Sequence, residues 1–516
     1  MQSSILLIAV FISGLSSLGM EMAASRLLGS VFGTSNLVWA NIIGLILVYL
    51  TAGYFIGGRW ADRSPHMHTF YTILAWAAFT TGLIPVLARP VLLRAAVAVE
   101  NLEVALMAGS FIAMIVLFVV PVTLMGCISP FAIRLAITDT STAGKVSGRI
   151  YAISTLGSII GTFLPTLVLI PSAGTYNTFL IFSGLLLLMA FIGLAVNDKK
   201  SIVRIIWMPV VLIVLVLLFL RGPIKKTSGQ IFEDESAYNY IQVIEKNGTR
   251  YLLLNEGQGI HSVYTPGEDI TSGTWDYFLV APFFNTPPVE VDSVENLALV
   301  GLAAGTIAKQ YTHVFGPIPI DGWEIDPEII EVGREYFDMT EANLNAQAAD
   351  GRWGLAHSDS KYSVIGIDAY RLPYIPWHLT TQEFFIEASD HLKEDGVVVI
   401  NVGRTPDDRR LIEALSATMK TVFPSVHVVD VPGTFNTILY ATVQPTKPEN
   451  LVYNLLSLQE NGSSQVLINI VDNAIAHLQE TPDMGTVFTD DIAPIEKLTN
   501  AIIIQFALNE SLEILR

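Results

Sequence analysis

Within the first 220 residues, seven stretches are long and apolar enough to cross a bilayer as helices: 4–28, 36–58, 70–88, 105–127, 151–171, 176–196 and 204–220. No other feature limits the fold as strongly. In hydrocarbon the backbone has no water to bond to, so such segments must satisfy their own N–H and C=O groups as helices. Small residues recur inside them, at Gly53, Gly57 and Gly58 and at Gly157 and Gly161. Small residues let helices approach closely in lipid, which predicts a packed bundle rather than separate anchors. The N-terminus has no basic region and the first apolar run continues too far, so no cleavable signal peptide is expected.

Charge divides the chain in two. Residues 1–226 hold 14 Lys+Arg and 6 Asp+Glu, which leaves 15 basic and 41 acidic residues of the chain totals of 29 and 47 for the remainder. An acidic region of that size repels nucleic acid, so no nucleic-acid partner is expected. It would attract small cations, and it equally suits a solvated acidic surface. The single cysteine, Cys127, lies in an apolar stretch, and the histidines are scattered. No disulfide within the chain and no metal site are expected.

Glu21 and Arg26 stand in or near the first apolar segment. Charges at that depth are costly and point to function, to an ion pair, or to snorkelling toward the interface. Basic clusters at Arg59/Arg63, Arg134/Lys145/Arg149 and Lys199/Lys200/Arg204 place the N-terminus inside by the positive-inside rule. Seven spans would then put the following domain outside, whereas Arg221, Lys225 and Lys226 favour the inside. The expectation is a multi-pass cell-membrane protein with its soluble domain cytoplasmic, although the charge rule leaves sidedness open.

Past Lys226 the pattern changes. Segments 238–245 and 249–254 read as strands around the turn Lys246-Asn247-Gly248. From Val294 strands and helices alternate, with strands at 297–301, 319–325, 345–349, 363–367, 396–401, 425–431 and 436–442 and helices at 327–337, 381–392 and 409–422. That order predicts a Rossmann-like, doubly wound, mostly parallel sheet. The expected domains are a membrane bundle over 1–226, a small β domain over 227–292, the Rossmann-like domain over 293–445 and a helical tail over 446–516.

Four features fall at strand tips. The turn Gly301-Leu302-Ala303-Ala304-Gly305 follows the first strand, and Glu324 ends the second. Asp350 precedes Gly351-Arg352, and Asp368 ends Ile365-Gly366-Ile367. Ligands of open α/β sheets bind beyond the carboxyl ends of the strands, where small residues admit the ligand and an acid can grip ribose. Each acid alone is as common as a helix cap; together they favour a nucleoside. Glu324 can accept both ribose hydroxyls, Asp350 an adenine amine, and Asp368 can face the reacting centre. An acid-lined pocket suits a cationic sulfonium. A dinucleotide, its pyrophosphate held on the helix N-terminus, stays open as well.

These residues resemble the spermidine synthase family of aminopropyltransferases, in particular its membrane-fused bacterial members, whose N-terminal half resembles part of a major facilitator transporter. The resemblance runs through Glu235-Ser236-Ala237-Tyr238-Asn239-Tyr240-Ile241, Leu254-Asn255-Glu256-Gly257-Gln258-Gly259, the Gly301–Gly305 turn, Glu324-Ile325-Asp326, Asp350-Gly351-Arg352, 362–370, and Thr489-Asp490-Asp491-Ile492-Ala493-Pro494-Ile495-Glu496. It implies a small β domain before a Rossmann-like one, decarboxylated S-adenosylmethionine as co-substrate, and putrescine or a related small amine as acceptor. It also implies Glu324 on ribose, Asp350 on adenine, Gln258, Gly301 and Gly305 at the co-substrate, and Asp368 as the acid that deprotonates the attacking amine. Homodimers are usual in that family.

The chain departs from the family pattern in three places. Ala303 and Ala304 fill a richer glycine loop, Ala369-Tyr370-Arg371-Leu372-Pro373 replaces a loop with a second acid, and Trp275-Asp276-Tyr277 replaces a Tyr-His-Glu run. Arg371 would disfavour a cationic acceptor if it pointed inward; a solvated loop residue is the alternative. The resulting expectation is a spermidine synthase-like transferase at the membrane. The alternatives are an S-adenosylmethionine-dependent methyltransferase and a non-catalytic polyamine or nucleoside sensor or transporter.

Overall fold

The structure, a computed structural model, describes residues 2–32, 36–98, 103–220, 227–255, 257, 259–268, 270–371 and 374–514. It divides into two compact units. The first comprises Met1–Ser228 together with Glu233–Tyr240 and Asn255–Gly257, and the second comprises the rest.

The first unit is built on α1 (Gln2–Phe32), α2 (Asn36–Arg63), α3 (Met67–Ala98), α4 (Glu103–Ala136), α5 (Ala143–Leu164), α6 (Ile170–Asn197), the short α7 (Lys199–Ile202) and α8 (Trp207–Phe219). Its described residues contain six helical stretches long and apolar enough to cross a membrane, against the seven expected. The difference lies at Thr140–Asn197, one stretch of 58 residues that holds the fifth and sixth expected segments. At 1.5 Å per residue it would run roughly 87 Å, far beyond a hydrocarbon core of about 30 Å. A π-helical turn at Pro165–Leu169 leads into α6, and Gly174 (φ 81°, ψ 164°) breaks the helix. The break falls between the fifth and sixth expected segments, 151–171 and 176–196.

The small residues do what lipid-phase packing asks of them. A Cβ on Gly157 would sit 2.1 Å from the Phe11 carbonyl oxygen, and one on Gly161 2.1 Å from that of Leu15, so α5 lies backbone-close on α1. Gly53 and Gly57 bring α2 to α4 in the same way, at 2.3 Å from Thr123 O and 2.5 Å from Cys127 Cα. Gly58 faces open space and has no such role. Outward, α8 exposes Val210, Ile213, Leu217 and Leu218, an apolar surface compatible with lipid contact.

The strands β1 (Gln230–Glu235), β2 (Tyr240–Lys246), β3 (Thr249–Leu254) and β4 (Ile260–Tyr264) form a four-stranded sheet in that order. The β2–β3 hairpin closes at Lys246↔Thr249. Its two turn residues, Asn247 and Gly248, both have positive φ, the pairing that a two-residue hairpin turn favours.

The second sheet contains β5 (Leu297–Val300), β6 (Ile320–Glu324), β7 (Leu344–Ala348), β8 (Tyr362–Ile367), β9 (Leu392–Gly403), β10 (Ser425–Asp430), β11 (Asn436–Thr442) and β12 (Leu478–Gln479). Their order is β12-β10-β11-β9-β8-β5-β6-β7. Strands β5 to β9 are mutually parallel, whereas β11 and β10 join antiparallel. The interleaved helices are α9 (Thr306–Phe315), α10 (Pro327–Tyr336), α11 (Gly351–Ala356), α12 (Gln382–Asp390) and α13 (Arg410–Lys420), followed by α14 (Glu449–Glu460), α15 (Gln465–Ala476) and α16 (Ile495–Ile514). Alternation along the strands feeds two cores. Leu297, Leu299, Val397 and Val399 pack with Tyr311, Leu451 and Val471 on one face. Ala298, Val300, Val398 and Ile400 pack with Phe384 and Leu415 on the other. A third cluster seats Val243 and Leu252 of the small sheet on Ala304 and on Ile329 and Val332 of α10.

Candidate active site

The chain runs from β5 outward through β6 and β7, then returns to β8 on the opposite side of β5. That reversal opens a crevice at the carboxyl edge of the sheet. Because β7, β6, β5, β8 and β9 are parallel neighbours, the residues at their tips share this edge in the spatial order Asp350, Glu324, Gly301, Asp368, Asn401.

The turn after β5 is tight. Gly301 (φ 91°) and Leu302 both donate to the Trp323 carbonyl at 3.0 Å. A Cβ at position 301 would fall 2.6 Å from the Ala369 backbone, so only glycine fits beside the chain that follows Asp368. Ala303 takes φ 47°, a left-handed conformation costing about 1 kcal/mol for a non-glycine residue. Two partners hold it there: the Ala303 N–H donates to Glu324 Oε2, and the Ala304 N–H to Ser262 Oγ, both at 3.0 Å. Gly305 (φ 86°) then opens α9.

Glu324, at the end of β6, is 9% exposed. Its Oε2 accepts from Ala303 and its Oε1 from the Asp326 N–H at 3.2 Å. Burial pushes its carboxyl up to about 7 against the pull of these donors. The neighbouring acid serves the helix instead, since Asp326 is fully buried and caps α10 through the Glu328 N–H.

Asp350 follows β7, where the Ala349 N–H donates to the Glu324 carbonyl at 2.9 Å. Asp350 Oδ1 accepts from the Trp353 N–H at 3.0 Å as the cap of α11, and Oδ2 lies 3.0 Å from His378 Nε2. The His378 hydrogen bond, ahead of the backbone one, holds this carboxyl below its ordinary range.

Asp368 ends β8, its N–H donating to the Val300 carbonyl at 3.0 Å. Both carboxylate oxygens accept from uncharged groups: Oδ1 from Asn401 Nδ2 and Oδ2 from Trp275 Nε1, each at 3.0 Å. Burial pushes the carboxyl up to about 7, and the two donors only partly offset it. Tyr370 donates its hydroxyl to the Asn401 carbonyl at 3.0 Å, bracing the residue that braces Asp368.

The structure therefore brings Gly301, Gly305, Glu324, Asp350 and Asp368 to one edge, while Gln258 lies outside the described residues. The sequence reading missed Trp275 as a donor, Asn401 and His378. Asn401 carried a signal, a polar residue at the end of the apolar run Val397–Ile400. Trp275 and His378 reach the edge from connecting segments and carry none. The acid of Trp275-Asp276-Tyr277 faces elsewhere, accepting from Thr271 and from Gln310 Nε2 at 2.6 Å. Arg371 is exposed. The 489–496 segment acts as a clamp: Arg352 pairs with Glu387 at 2.6 Å and with Asp490 at 2.8 Å.

The parallel sheet, its switch point and an acid-lined edge define an open α/β domain with one candidate site at its carboxyl edge. Residues 318–454 match the spermine/spermidine synthase domain family. A probable polyamine aminopropyl transferase of Bifidobacterium longum is 31% identical over 294 residues, 54% of this chain and 64% of the relative, so the chain spans under two thirds of that protein's length. A polyamine aminopropyltransferase of Vibrio vulnificus is 28% identical over 235 residues, 43% of this chain and 75% of the relative. The crystal structure of a probable spermidine synthase from Corynebacterium glutamicum aligns with a TM-score of 0.39 at 19% identity, covering 51% of this chain and all of that one.

Proposed function

We propose that the chain is an aminopropyltransferase, held in a membrane by its helical bundle, that moves the aminopropyl group of decarboxylated S-adenosylmethionine to a small amine such as putrescine. The observation that carries this reading is Asp368, a carboxylate with both oxygens oriented by neutral donors, at the same sheet edge as Glu324. The likeness to the two bacterial aminopropyltransferases points the same way.

In the proposed reaction the acceptor nitrogen attacks the carbon next to the sulfonium. The C–N bond forms as the C–S bond breaks, and the electron pair goes to sulfur, leaving neutral methylthioadenosine. The acceptor must shed its extra proton to attack, and Asp368 would orient and accept it. Glu324 would take the ribose hydroxyls and Asp350 the adenine amine. Two cations brought together repel, and the ionised carboxylates offset that repulsion. The turn N–H groups of Ala303 and Ala304 are already donated to Glu324 and Ser262, which favours a phosphate-free nucleoside over a dinucleotide.

We further propose that the acidic domain is cytoplasmic, as the basic residues Arg221, Lys225 and Lys226 suggest. Purified full-length protein given decarboxylated S-adenosylmethionine and a panel of amines should release methylthioadenosine. If it does not, the proposal fails. Titration with decarboxylated and intact S-adenosylmethionine separates it from methyl transfer, because preference for the intact form would select the methyltransferase instead.

A further inference from the structure

Arg352, His378 and Asp490, none of which enters the proposed reaction, converge on Asp350. Asp350 is the edge acid whose carboxyl is held low. Glu324 and Asp368 show what burial does at that edge, for it pushes both up to about 7. At Asp350 the His378 hydrogen bond leads, burial comes second and acts against it, and the Trp353 N–H adds to the first. An ionised carboxylate only accepts, so His378 Nε2, 3.0 Å from Oδ2, is the donor of this pair.

The imidazole is aimed by its own surroundings. The Trp377 ring stands edge-on to it, with centroids 5.8 Å apart. The His378 carbonyl accepts from Arg352 Nη1 at 3.0 Å, which ties the backbone carrying the imidazole to α11, the helix that Asp350 caps. The Arg352 fork is held in turn. Nε and Nη2 donate to Glu387 of α12 at 2.9 and 2.6 Å, and Nη1 and Nη2 donate to Asp490 at 2.8 and 2.9 Å. Asp490 is itself pinned across the start of α12. Its Oδ1 accepts from the Thr381 hydroxyl at 2.7 Å, and its N–H donates to Glu383 Oε2 at 2.9 Å. Two residues earlier the Phe488 carbonyl takes the Gln382 N–H at 2.8 Å. Segment 488–490 is therefore a strap, brought to Arg352 from 138 residues further along the chain.

The charge on Asp350 governs which base it can hold. Its side chain is 38% exposed, and Oδ2 keeps a lone pair beside the His378 bond. Purines differ at position 6. A 6-amino purine offers N–H groups to that lone pair, and a 6-oxo purine turns a carbonyl oxygen toward it. An acceptor-only carboxylate holds the first and repels the second, whereas a protonated one can donate to the carbonyl. A base settling on Asp350 strips water from it, which favours the neutral acid. Keeping the charge then takes a donor already in place, and His378 supplies it.

We propose that His378, aimed by Arg352 and the Asp490 strap, makes Asp350 an acceptor-only reader of the base, so that the site takes 6-amino purine nucleosides and rejects 6-oxo ones. His378, Arg352 and Asp490 are positioning residues, since they act through Asp350. This assignment rests on the proposed placement of adenine at Asp350 and is independent of the transfer step.

The test measures binding rather than turnover, by calorimetry on full-length protein in detergent at neutral pH. The probes are methylthioadenosine, its 6-oxo counterpart methylthioinosine, and its 2′-deoxy counterpart. Wild type should favour methylthioadenosine over methylthioinosine about 100-fold, and His378→Phe only about tenfold. His378→Gln, which keeps an N–H donor, should restore most of the preference. Asp490→Asn, which loosens the strap and leaves His378 in place, should fall between, at about 30-fold. The preference for ribose over 2′-deoxyribose should not move in any variant, whereas a general loosening of the pocket would lower both preferences together. Should the phenyl ring prevent folding, His378→Ala carries the same expectation as His378→Phe. Full selectivity in wild type and in the donor-free variant alike overturns the inference alone. Full selectivity in Asp490→Asn removes the strap from it. A wild type that binds none of the probes, or binds both purines equally, denies Asp350 its base and overturns the placement of adenine together with the inference.

Discussion

The acids at the carboxyl edge of the parallel sheet and those on the flanks of the same domain differ in what faces them. On the flank, Asp430 accepts from Arg409 at 2.8 and 3.0 Å, and Asp490 accepts from Arg352. Both stay below the ordinary carboxylate range: burial is the largest single effect on Asp430, but Arg409, the Thr437 hydroxyl and Arg404 together outweigh it, and the Arg352 hydrogen bond leads the effects on Asp490. At the edge, Glu324 and Asp368 accept, among the described residues, from backbone N–H, amide and indole donors, and burial pushes both up to about 7. Flank acids are paired with cations; Glu324 and Asp368 are not, among the described residues, whereas Asp350, at the same edge, meets His378 and is held low.

That contrast fails first if the edge acids prove dispensable. Asp368→Asn keeps the shape and the Trp275 contact but cannot accept a proton, so kcat/KM should fall about 10³-fold. A loss below about tenfold, measured as methylthioadenosine release, would deny Asp368 its role as base. Glu324→Gln should act on binding. Replacing a charged acceptor of two hydroxyls costs about 2 kcal/mol, or about 30-fold in the dissociation constant of the nucleoside, with a smaller change in kcat. A kcat-only effect would place Glu324 at the wrong part of the ligand.

Stability should move in opposite directions in the two regions. Arg352→Gln leaves Glu387 and Asp490 without their shared cation. Both carboxylates are more than a third exposed or nearly so, so the loss is about 2 kcal/mol rather than that of a sealed pair, lowering the Tm by about 5 °C. Asp368→Asn should instead stabilise. The folded pKa of about 7 exceeds the ordinary 3.8, so the native state binds more protons than the unfolded chain between those values, and stability falls as pH rises through that window. Asn escapes the penalty. The variant should melt above wild type at pH 8, and the gap should close below about pH 4. Thermal scans at both pH values check it; a variant less stable at pH 8 would show that the carboxylate is structural.

What could be read in the sequence was whatever repeats along the chain. Asn247-Gly248 announced its hairpin, the run before Gly301 announced β5, and Gly157 and Gly161 announced a close helix crossing. Acids at strand tips were legible because a parallel sheet places every tip on one edge. Contacts between distant segments left no such trace. Nothing near Trp275 points to Asp368, 93 residues on, nor does Arg352 point to Asp490 at 138 residues. The reversal of β11 left a weak trace, a short connection through Gly433 with no helix between β10 and β11; β11 runs against β9, and β10, antiparallel to β11, runs with the parallel strands. The break at Gly174 was legible as the small and polar run Pro171-Ser172-Ala173-Gly174-Thr175 between the apolar segments 151–171 and 176–196, although the acceptor that Glu235 brings to it was not.

The smallest expected effect is also the most direct reading of the contrast. With Glu324 and Asp368 both pushed up to about 7, each should be about half protonated at pH 7 before any ligand arrives. A sulfonium placed beside them favours the charged form, so their pKa values must fall as it binds. Binding at pH 7 should then release up to about one proton, half from each acid, and the release should vanish above about pH 8.5, where both are already ionised. By linkage, affinity should decline as pH falls below 7, where protons compete with the cation, and level off on the alkaline side. Titration calorimetry in buffers of different ionisation enthalpy measures the proton count. Asp368→Asn should roughly halve it, whereas Asp430→Asn, on the flank, should leave it unchanged. A proton count of zero at pH 7 in wild type would mean that the edge acids are ionised without the ligand, and the distinction between edge and flank would disappear.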